Sequence, residues 1–323
     1  MSALLEVERL SVRLPSNRGP VTIVDGVDYS VERGQVFGVA GESGSGKTIS
    51  VLALMQLLPA GAQVAGTARY EGRDLLSLRP RALRQVRGRD VAMVFQDPLT
   101  SLHPMLTVGK QLTEHVRLHE DVSAKAADKR ALELLEEVRI PDPERALHAF
   151  PHQFSGGMRQ RIAIASALAC RPKLLIADEP TTALDVTVQA GILRLLDRLR
   201  RENGLSVILI THDLGVMSSI ADHVSIFYAG RIVESGPTSE LLTRPRHPYT
   251  RALIDALPHP ERGGAELVAI PGAPPTPAAR PTGCAFHPRC PYALERCASD
   301  VPPLVPVSDS RLLACHVDPF GPR

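Results

Sequence analysis

The stretch that decides the fold is Gly41-Glu42-Ser43-Gly44-Ser45-Gly46-Lys47-Thr48. An apolar run at 35–40 precedes it and predicts a strand, and a second apolar run at 49–58 follows it and predicts a helix. Glycines between a strand and a helix let successive backbone N–H groups turn inward around a phosphate. In this pattern Lys47 contacts the β- and γ-phosphates and Thr48 binds Mg²⁺. We therefore expect residues 41–48 to bind a nucleoside triphosphate.

Two adjacent acids follow another apolar run. Leu174-Leu175-Ile176-Ala177 predicts a buried strand, and Asp178 and Glu179 stand at its end. Next to a phosphate loop, the first carboxylate is expected to face Mg²⁺ and the second an attacking water. Solvated acids at strand ends are common, so this interpretation depends on the phosphate loop.

The rest of the pattern predicts an α/β core. Short apolar runs at 174–177 and 207–210 are separated by a helical pattern at 186–201, which is the rhythm of a parallel sheet. Apolar positions at helical spacing between Thr107 and Val138 predict an inserted group of helices. Beyond Gly236 the chain is rich in proline and glycine, and we expect few regular elements there.

The net charge and the apolar stretches of the chain exclude some classes of function. The 37 basic and 35 acidic residues leave a net charge of +2, so nothing favours a nucleic-acid partner. The N-terminus lacks the basic flank and apolar core of a secretory signal. No apolar stretch reaches the roughly 20 residues that a membrane-spanning helix needs. We expect neither export nor a membrane span.

A further segment resembles the signature sequence of ABC transporter ATPases. It reads Phe154-Ser155-Gly156-Gly157-Met158-Arg159-Gln160-Arg161, with Phe for Leu and Met for Gln. The resemblance implies a P-loop NTPase (RecA-like) core with an antiparallel β subdomain, within a nucleotide-binding domain at 1–242, and a helical subdomain at about 97–157. It implies ATP and Mg²⁺ as ligands. It also implies that Ser155, Gly156, Gly157 and Gln160 face the ATP held by a partner ATPase.

Three other positions match the same family one at a time. Gln96 resembles the lid glutamine that touches Mg²⁺ and the water, and Asp185 lies in a segment similar to the loop that crosses the dimer seam. His212 resembles the switch histidine that contacts the γ-phosphate. The aromatic residue that stacks on adenine in this family should lie near Leu14, where no aromatic residue occurs. Tyr29 belongs to an alternating pattern and is expected to face the core.

The C-terminal part, 243–323, resembles the extension of the peptide and nickel importer ATPases. The resemblance is carried by Arg246-His247-Pro248-Tyr249-Thr250-Arg251-Ala252-Leu253 and by Arg289-Cys290-Pro291-Tyr292. Within that subgroup, residues 154–161 and Asp178-Glu179-Pro180-Thr181-Thr182-Ala183-Leu184-Asp185 resemble the D-type subunit of a dipeptide permease. This resemblance implies a related second ATPase as heterodimer partner, two transmembrane permease subunits and an extracytoplasmic substrate-binding protein. The chain would lie peripherally on the cytoplasmic face of the inner membrane. Nickel, glutathione or another small solute is the alternative cargo.

Four cysteines cluster near the C-terminus, at Cys284, Cys290, Cys297 and Cys315. The gaps of five, six and seventeen residues match neither the common zinc spacings nor the ferredoxin runs, so spacing leaves the ligand open. Thiols in a reducing compartment favour a metal site over disulfides. The subgroup resemblance implies a [4Fe-4S] cluster, with zinc as the alternative. Cys170 stands alone and is expected to be structural.

Two other function classes compete with transport. A P-loop enzyme such as a kinase is disfavoured by the signature-like segment at 154–161. A soluble ABC ATPase that acts on ribosomes or in DNA repair would have two cassettes or long coiled coils. This chain has one cassette and no sustained heptad pattern.

Overall fold

The computed structural model describes residues 3–97, 101–257 and 269–321. The strands, in chain order, are β1 (Leu5–Leu14), β2 (Val21–Val31), β3 (Val36–Ala40), β4 (Gln63–Tyr70), β5 (Arg73–Asp74), β6 (Val91–Val94), β7 (Leu174–Asp178), β8 (Ser206–Thr211), β9 (His223–Tyr228), β10 (Arg231–Pro237), β11 (Val305–Ser308) and β12 (Arg311–Leu313). The α-helices are α1 (Lys47–Leu54), α2 (Pro80–Val86), α3 (Val108–His119), α4 (Ala124–Glu137), α5 (Pro143–His148), α6 (Gly156–Ala167), α7 (Val186–Asn203), α8 (Leu214–Ile220), α9 (Thr238–Thr243), α10 (Pro248–Asp255) and α11 (Glu295–Ser299).

The described residues form two compact units. One contains 32–36 and 77–210, and the other contains 2–31, 37–76 and 211–323, apart from the stretches outside the described ranges. From β7 to β9 the chain alternates between strands and helices, in the order β7, α7, β8, α8 and β9, as the sequence predicts for an α/β core. The predicted boundary between 1–242 and 243–323 remains a prediction.

The sheet strands of the first unit, β6, β7 and β8, run parallel to one another. β7 lies between β6 and β8, with Val91 paired to Leu174 and Leu174 paired to Ser206. Every residue of β7 is buried, as expected of an apolar strand in a parallel sheet. Parallel strands end at the same edge, so the residues that follow β6 and β7 lie near one another.

Helices α3, α4 and α5 contact one another, and α3 and α4 also contact α6. Thr107 and Ser123 begin α3 and α4, because their hydroxyl oxygens accept the N–H groups of Lys110 and Ala126. Buried apolar residues of α3 recur at helical spacing, namely Val108, Leu112 and Val116. The inserted helical pattern at 107–138 is therefore confirmed, while the subdomain limits of about 97–157 remain a prediction.

The second unit contains an antiparallel sheet and a mixed one. In the antiparallel sheet β1 lies between β2 and β4, and β5 follows at the edge. In the mixed sheet β3 runs parallel to β9, and β9, β10, β12 and β11 follow in antiparallel order. α1 contacts β1 and β2.

The helix after the phosphate loop is shorter than predicted. α1 ends at Leu54, whereas the apolar run predicted a helix to Leu58. Gln56 takes a left-handed backbone conformation with φ of 47°, which a continuing helix does not allow. Local backbone conformation ends the helix before Pro59 does.

The prediction of an almost irregular C-terminal part is wrong. α10 and α11 are helical, and β11 and β12 extend the sheet at β10. Pro248 starts α10, where its fixed φ suits the first turn and its missing N–H has no cost. Proline therefore marks a helix start here and not a breaker.

A buried ion pair fastens the C-terminal part within the second unit. Arg311 Nη2 lies 2.5 Å from Glu234 Oε1, and Glu234 is only 1% exposed. The backbone N–H groups of Arg246 and His247 donate to the two carboxylate oxygens at 2.9 and 3.0 Å. One carboxylate therefore holds β10, the start of α10 and β12 together.

We expect Glu234→Gln to lower the free energy of unfolding by about 3 kcal/mol, because Arg311 would be left buried without a carboxylate. Urea unfolding followed by circular dichroism measures the change. The matched control is Asp309→Asn, an exposed acid in the turn between β11 and β12. Equal effects of the two substitutions would contradict an anchoring role for Glu234.

Candidate functional site

The loop between β3 and α1 has a backbone that only glycine permits. Gly41 and Gly46 have φ of 144° and 101°. A Cβ on Gly41 would lie 2.2 Å from the carbonyl oxygen of Phe227, closer than any real side chain approaches. The loop therefore keeps the close backbone path that the sequence predicts for residues 41–48.

Two polar side chains of this loop, Lys47 and Ser45, are buried beside the glycine backbone. Lys47 is buried, and its Nζ donates to the carbonyl oxygens of Gly41 and Glu42 at 2.7 and 2.8 Å. Ser45 Oγ is buried and has no hydrogen-bond partner among the described residues. A buried hydroxyl of this kind is costly unless a ligand or water satisfies it. A lysine, an unsatisfied hydroxyl and a glycine backbone suit a phosphate group.

The acid pair lies at the carboxyl end of β7. Asp178 is 3% exposed, and Glu179 follows it with a left-handed φ of 46°. Gln96 Nε2 and Thr182 Oγ1 each donate to Glu179 Oε2 at 2.9 Å. The strained backbone and the two donors fix the direction of this carboxylate. Glu179 can therefore accept a proton or a hydrogen bond from a water held at this edge.

The signature-like segment begins α6. Ser155 caps the helix by accepting the N–H of Met158 at 3.3 Å, and Ser155 and Gly156 are exposed. A Cβ on Gly157 would lie 2.4 Å from Val188 Cγ1, so glycine allows α6 to pack closely on α7. Gln160 is buried, and its Nε2 has no partner within the described ranges. α6 is 12 residues long, and its exposed N-terminus offers backbone N–H groups to an anion.

Asp185 and His212 both stand next to helix starts. Asp185 caps α7 by accepting the N–H of Val188 at 2.9 Å, and its side chain is exposed. His212 follows β8 and is also exposed. In the first unit, Gln96 and Glu179 meet in a direct hydrogen bond, and Asp178, Ser155 and Asp185 belong to the same unit. The phosphate loop and His212 belong to the second unit.

The four clustered cysteines lie in the second unit. Burial raises the pKa of the Cys284 thiol to about 11, and the charges of the other three cysteines add to this effect. Burial also raises the pKa values of Cys290 and Cys315. Among the described residues, no group of three or more His, Cys, Asp or Glu side chains is arranged to hold a metal. The thiols are neighbours, but the structure does not form a metal site from them.

Backbone N–H groups point at three of these sulfurs. Val317 and Asp318 donate to Cys315 Sγ at 3.4 Å, and Phe286 and Tyr292 hydrogen-bond to Cys284 and Cys290. Such hydrogen bonds stabilise thiolates that bind metals. The donors around the sulfurs therefore suit a metal even though the ligand arrangement is not formed.

Comparison with known proteins identifies the family. Residues 24–182 match the family described as ABC transporter, and residues 233–297 match the family described as oligopeptide/dipeptide transporter, C-terminal region. The dipeptide transport ATP-binding protein DppD of Haemophilus influenzae is 49% identical over 97% of this chain and 95% of its own length. The oligopeptide transport ATP-binding protein OppD of Salmonella typhimurium is 46% identical over 97% and 93%.

The chain belongs to the ABC transporter ATPases. Solved ATP-binding cassettes agree with this assignment. One, solved as a dimer in a post-hydrolysis state with ADP and phosphate, matches with a TM-score of 0.65 and 26% identity over 72% of this chain and 98% of its own. Another, part of an ABC transporter complex of Clostridium perfringens, matches with a TM-score of 0.64 and 26% identity over 75% and 92%. The ATPase therefore has the P-loop cassette fold and hydrolyses ATP to ADP and phosphate.

The structure confirms the prediction that Tyr29 faces the core. Tyr29 of the ATPase packs in the core, stacked on Phe37 with ring centroids 5.2 Å apart. Cys170 is buried, and burial raises its pKa to about 11, as suits a structural thiol. No helix in the described ranges is long and apolar enough to cross a membrane.

Sequence reasoning missed three residues that contact the site. Thr182 holds Glu179, and Tyr249 and Arg289 contact Glu42 in the phosphate loop. Thr182 stands three residues after Glu179, so local spacing could have indicated it. No sequence signal pairs Arg289 with Glu42, because 247 residues separate them.

Proposed function

We propose that this ATPase powers the import of dipeptides or oligopeptides. The observation that carries the proposal is the likeness to a dipeptide transport ATP-binding protein, 49% identical along 97% of the chain. The C-terminal match at 233–297 supports the same cargo class, because that region bears the oligopeptide/dipeptide description. Nickel, glutathione or another small solute is the alternative cargo, and a soluble non-transport ATPase is the alternative role.

In the proposed mechanism, the phosphate loop and the acid pair act on the same ATP. Lys47 and the N–H groups of the loop bind the phosphates. Thr48, Asp178 and Gln96 would hold Mg²⁺, which would supply positive charge to the phosphates. Glu179, fixed by Gln96 and Thr182, orients the attacking water and accepts its proton. His212 contacts the γ-phosphate.

The proposed active form is a two-subunit sandwich. The N-terminus of α6, with Ser155, Gly156, Gly157 and Gln160, binds the ATP of the partner, and Asp185 lies at the seam between subunits. The exposure of Ser155, Gly156 and Asp185 supports this arrangement. The similarity to a cassette solved as a dimer also supports it. We propose a related second ATPase as the partner, so the isolated chain should hydrolyse ATP slowly.

We further propose that the ATPase pair lies peripherally on the cytoplasmic face of the inner membrane. Two transmembrane permease subunits would bind it there, and an extracytoplasmic binding protein would deliver the cargo. The family match supports membrane partners, and the near balance of charge gives no support for a nucleic-acid partner.

Reconstitution of the complete transporter tests the cargo. We expect a dipeptide with its binding protein to raise the ATPase rate in vesicles about tenfold, because cargo-loaded binding protein promotes closure of the ATP sandwich. Nickel salts and glutathione serve as comparison cargoes. If nickel salts or glutathione stimulated the ATPase and peptides did not, the proposal of a peptide cargo would be wrong. Full, cargo-stimulated activity from a strictly monomeric chain would exclude the sandwich.

We expect Glu179→Gln to leave ATP binding within about threefold of the parent and to lower kcat by at least about a hundredfold. The amide keeps the size of the side chain but cannot accept a proton. Nucleotide binding and steady-state hydrolysis are measured on the assembled transporter. Glu144→Gln, an exposed acid in α5, is the matched control. Hydrolysis near the parent rate would show that Glu179 is not the base.

We also propose that Cys284, Cys290, Cys297 and Cys315 hold a [4Fe-4S] cluster, with zinc as the alternative. The N–H groups directed at three of the sulfurs support a metal here. The bound group would crosslink a segment that is rich in proline and glycine and has little core of its own.

Elemental analysis of protein purified without oxygen decides the identity of this group. We expect about four irons and four sulfides per chain with broad visible absorption. Cys290→Ser should remove the irons and sulfides, whereas Cys170→Ser should not. Stoichiometric zinc without iron would keep the metal site but refute the cluster, and a metal-free chain would refute both.

A further inference from the structure

Two side chains from the C-terminal part contact the phosphate loop within the second unit. Arg289 Nη1 and Nη2 donate to Glu42 Oε2 and Oε1 at 2.8 and 3.1 Å. The backbone N–H of Glu42 donates to the Tyr249 hydroxyl at 2.9 Å. Glu42 is therefore held by its carboxylate and by its amide.

Arg289 has little freedom to leave this position. Its side chain is 6% exposed, and its Nε donates to the carbonyl oxygen of Pro271 at 2.8 Å. The guanidinium carbon lies 5.8 and 5.9 Å from the ring centroids of Tyr228 and Phe286. A guanidinium fixed by a carboxylate, a carbonyl and two rings holds its partner in one geometry.

Tyr249 is equally fixed. It is fully buried, and its ring packs against those of Tyr228 and Phe286 with centroids 4.5 and 5.4 Å apart. Loss of its hydroxyl would leave the N–H of Glu42 without this acceptor. The aromatic cluster of Tyr228, Tyr249 and Phe286 therefore sets the position of one loop amide.

Because Glu42 carries a carboxylate, its contact with Arg289 affects how well the loop can bind a phosphate ligand. A free carboxylate in the loop would repel a triphosphate, because like charges a few ångströms apart cost about 1 kcal/mol or more even in water. The carbonyl of Glu42 also accepts Lys47 Nζ at 2.8 Å and the N–H of Ser45 at 3.3 Å. Movement of Glu42 would thus disturb the lysine and the loop turn together.

We propose that Arg289 and Tyr249 are positioning residues for ATP: they neutralise and orient Glu42 so that the phosphate loop accepts the triphosphate. The proposal rests on the proposed role of residues 41–48 in binding ATP. It gives the C-terminal part a direct role in ATP affinity, in addition to any role in partner binding.

A double-mutant cycle on the assembled transporter tests this. We expect Arg289→Gln to raise the KM for ATP about tenfold, with kcat within about twofold, because it exposes the Glu42 carboxylate to the phosphates. Glu42→Gln together with Arg289→Gln should return KM to within about threefold of the parent. Arg289→Lys should give an intermediate KM, since it keeps the charge without the two-pronged contact.

The variant Tyr249→Phe tests the second contact of Glu42 independently of Arg289. We expect it to raise the KM for ATP about threefold and to speed hydrogen exchange of the peptide that contains Glu42. Arg296→Gln is the matched control, because Arg296 lies in the same region, is 63% exposed and pairs with Asp300 at 3.5 Å. Its KM should equal that of the parent.

A purely structural role for Arg289 predicts a different result. In that case Arg289→Gln would lower the unfolding midpoint, and adding Glu42→Gln would not restore KM, which would overturn the proposal. An unchanged KM in Arg289→Gln would overturn it too. Lys47→Ala tests separately whether residues 41–48 bind ATP. Undiminished ATP binding in that variant would show that the loop is not the ATP site, whatever the Arg289 variants do.

Discussion

The backbone of Gly41 lies so close to the carbonyl oxygen of Phe227 that no side chain fits between them. A Cβ there would be 2.2 Å from that oxygen, and β3 and β9 pair in parallel directly before these residues. This close approach fixes where the loop leaves the sheet, and hence where α1 and Lys47 begin. Glu42, the next residue, is placed where Tyr249 and Arg289 can reach it.

Parallel strand ends impose the second constraint. β6 and β7 pair in parallel, so Gln96 and Glu179 emerge at one edge and meet at 2.9 Å. Neither residue needs a long loop to reach the other. The left-handed backbone of Glu179 adds strain that the neighbouring hydrogen bonds offset. Directional control of one carboxylate is what water activation requires.

The C-terminal part is held to its unit mainly by polar contacts. It has short helices and two short strands, and it buries few large apolar side chains. Glu234 with Arg311, and Glu42 with Arg289, are ion pairs with little solvent exposure. Buried pairs hold a specific geometry even where their net stabilisation is small. That property suits a segment whose position affects a ligand loop.

The phosphate loop, the acid pair and the helical pattern at 107–138 could all be predicted from the amino-acid sequence, because each depends on residues that are close in the chain. Glycine spacing, an apolar run and helical periodicity are local signals. The early end of α1 escaped prediction because one left-handed residue, Gln56, outweighed the apolar run. The helix that starts at Pro248 escaped it because proline signals both a break and a start. The contacts of Arg289 with Glu42 and of Gln96 with Glu179 become visible only in the folded chain. They join distant segments, and so they depend on strand order and burial, which no local pattern contains.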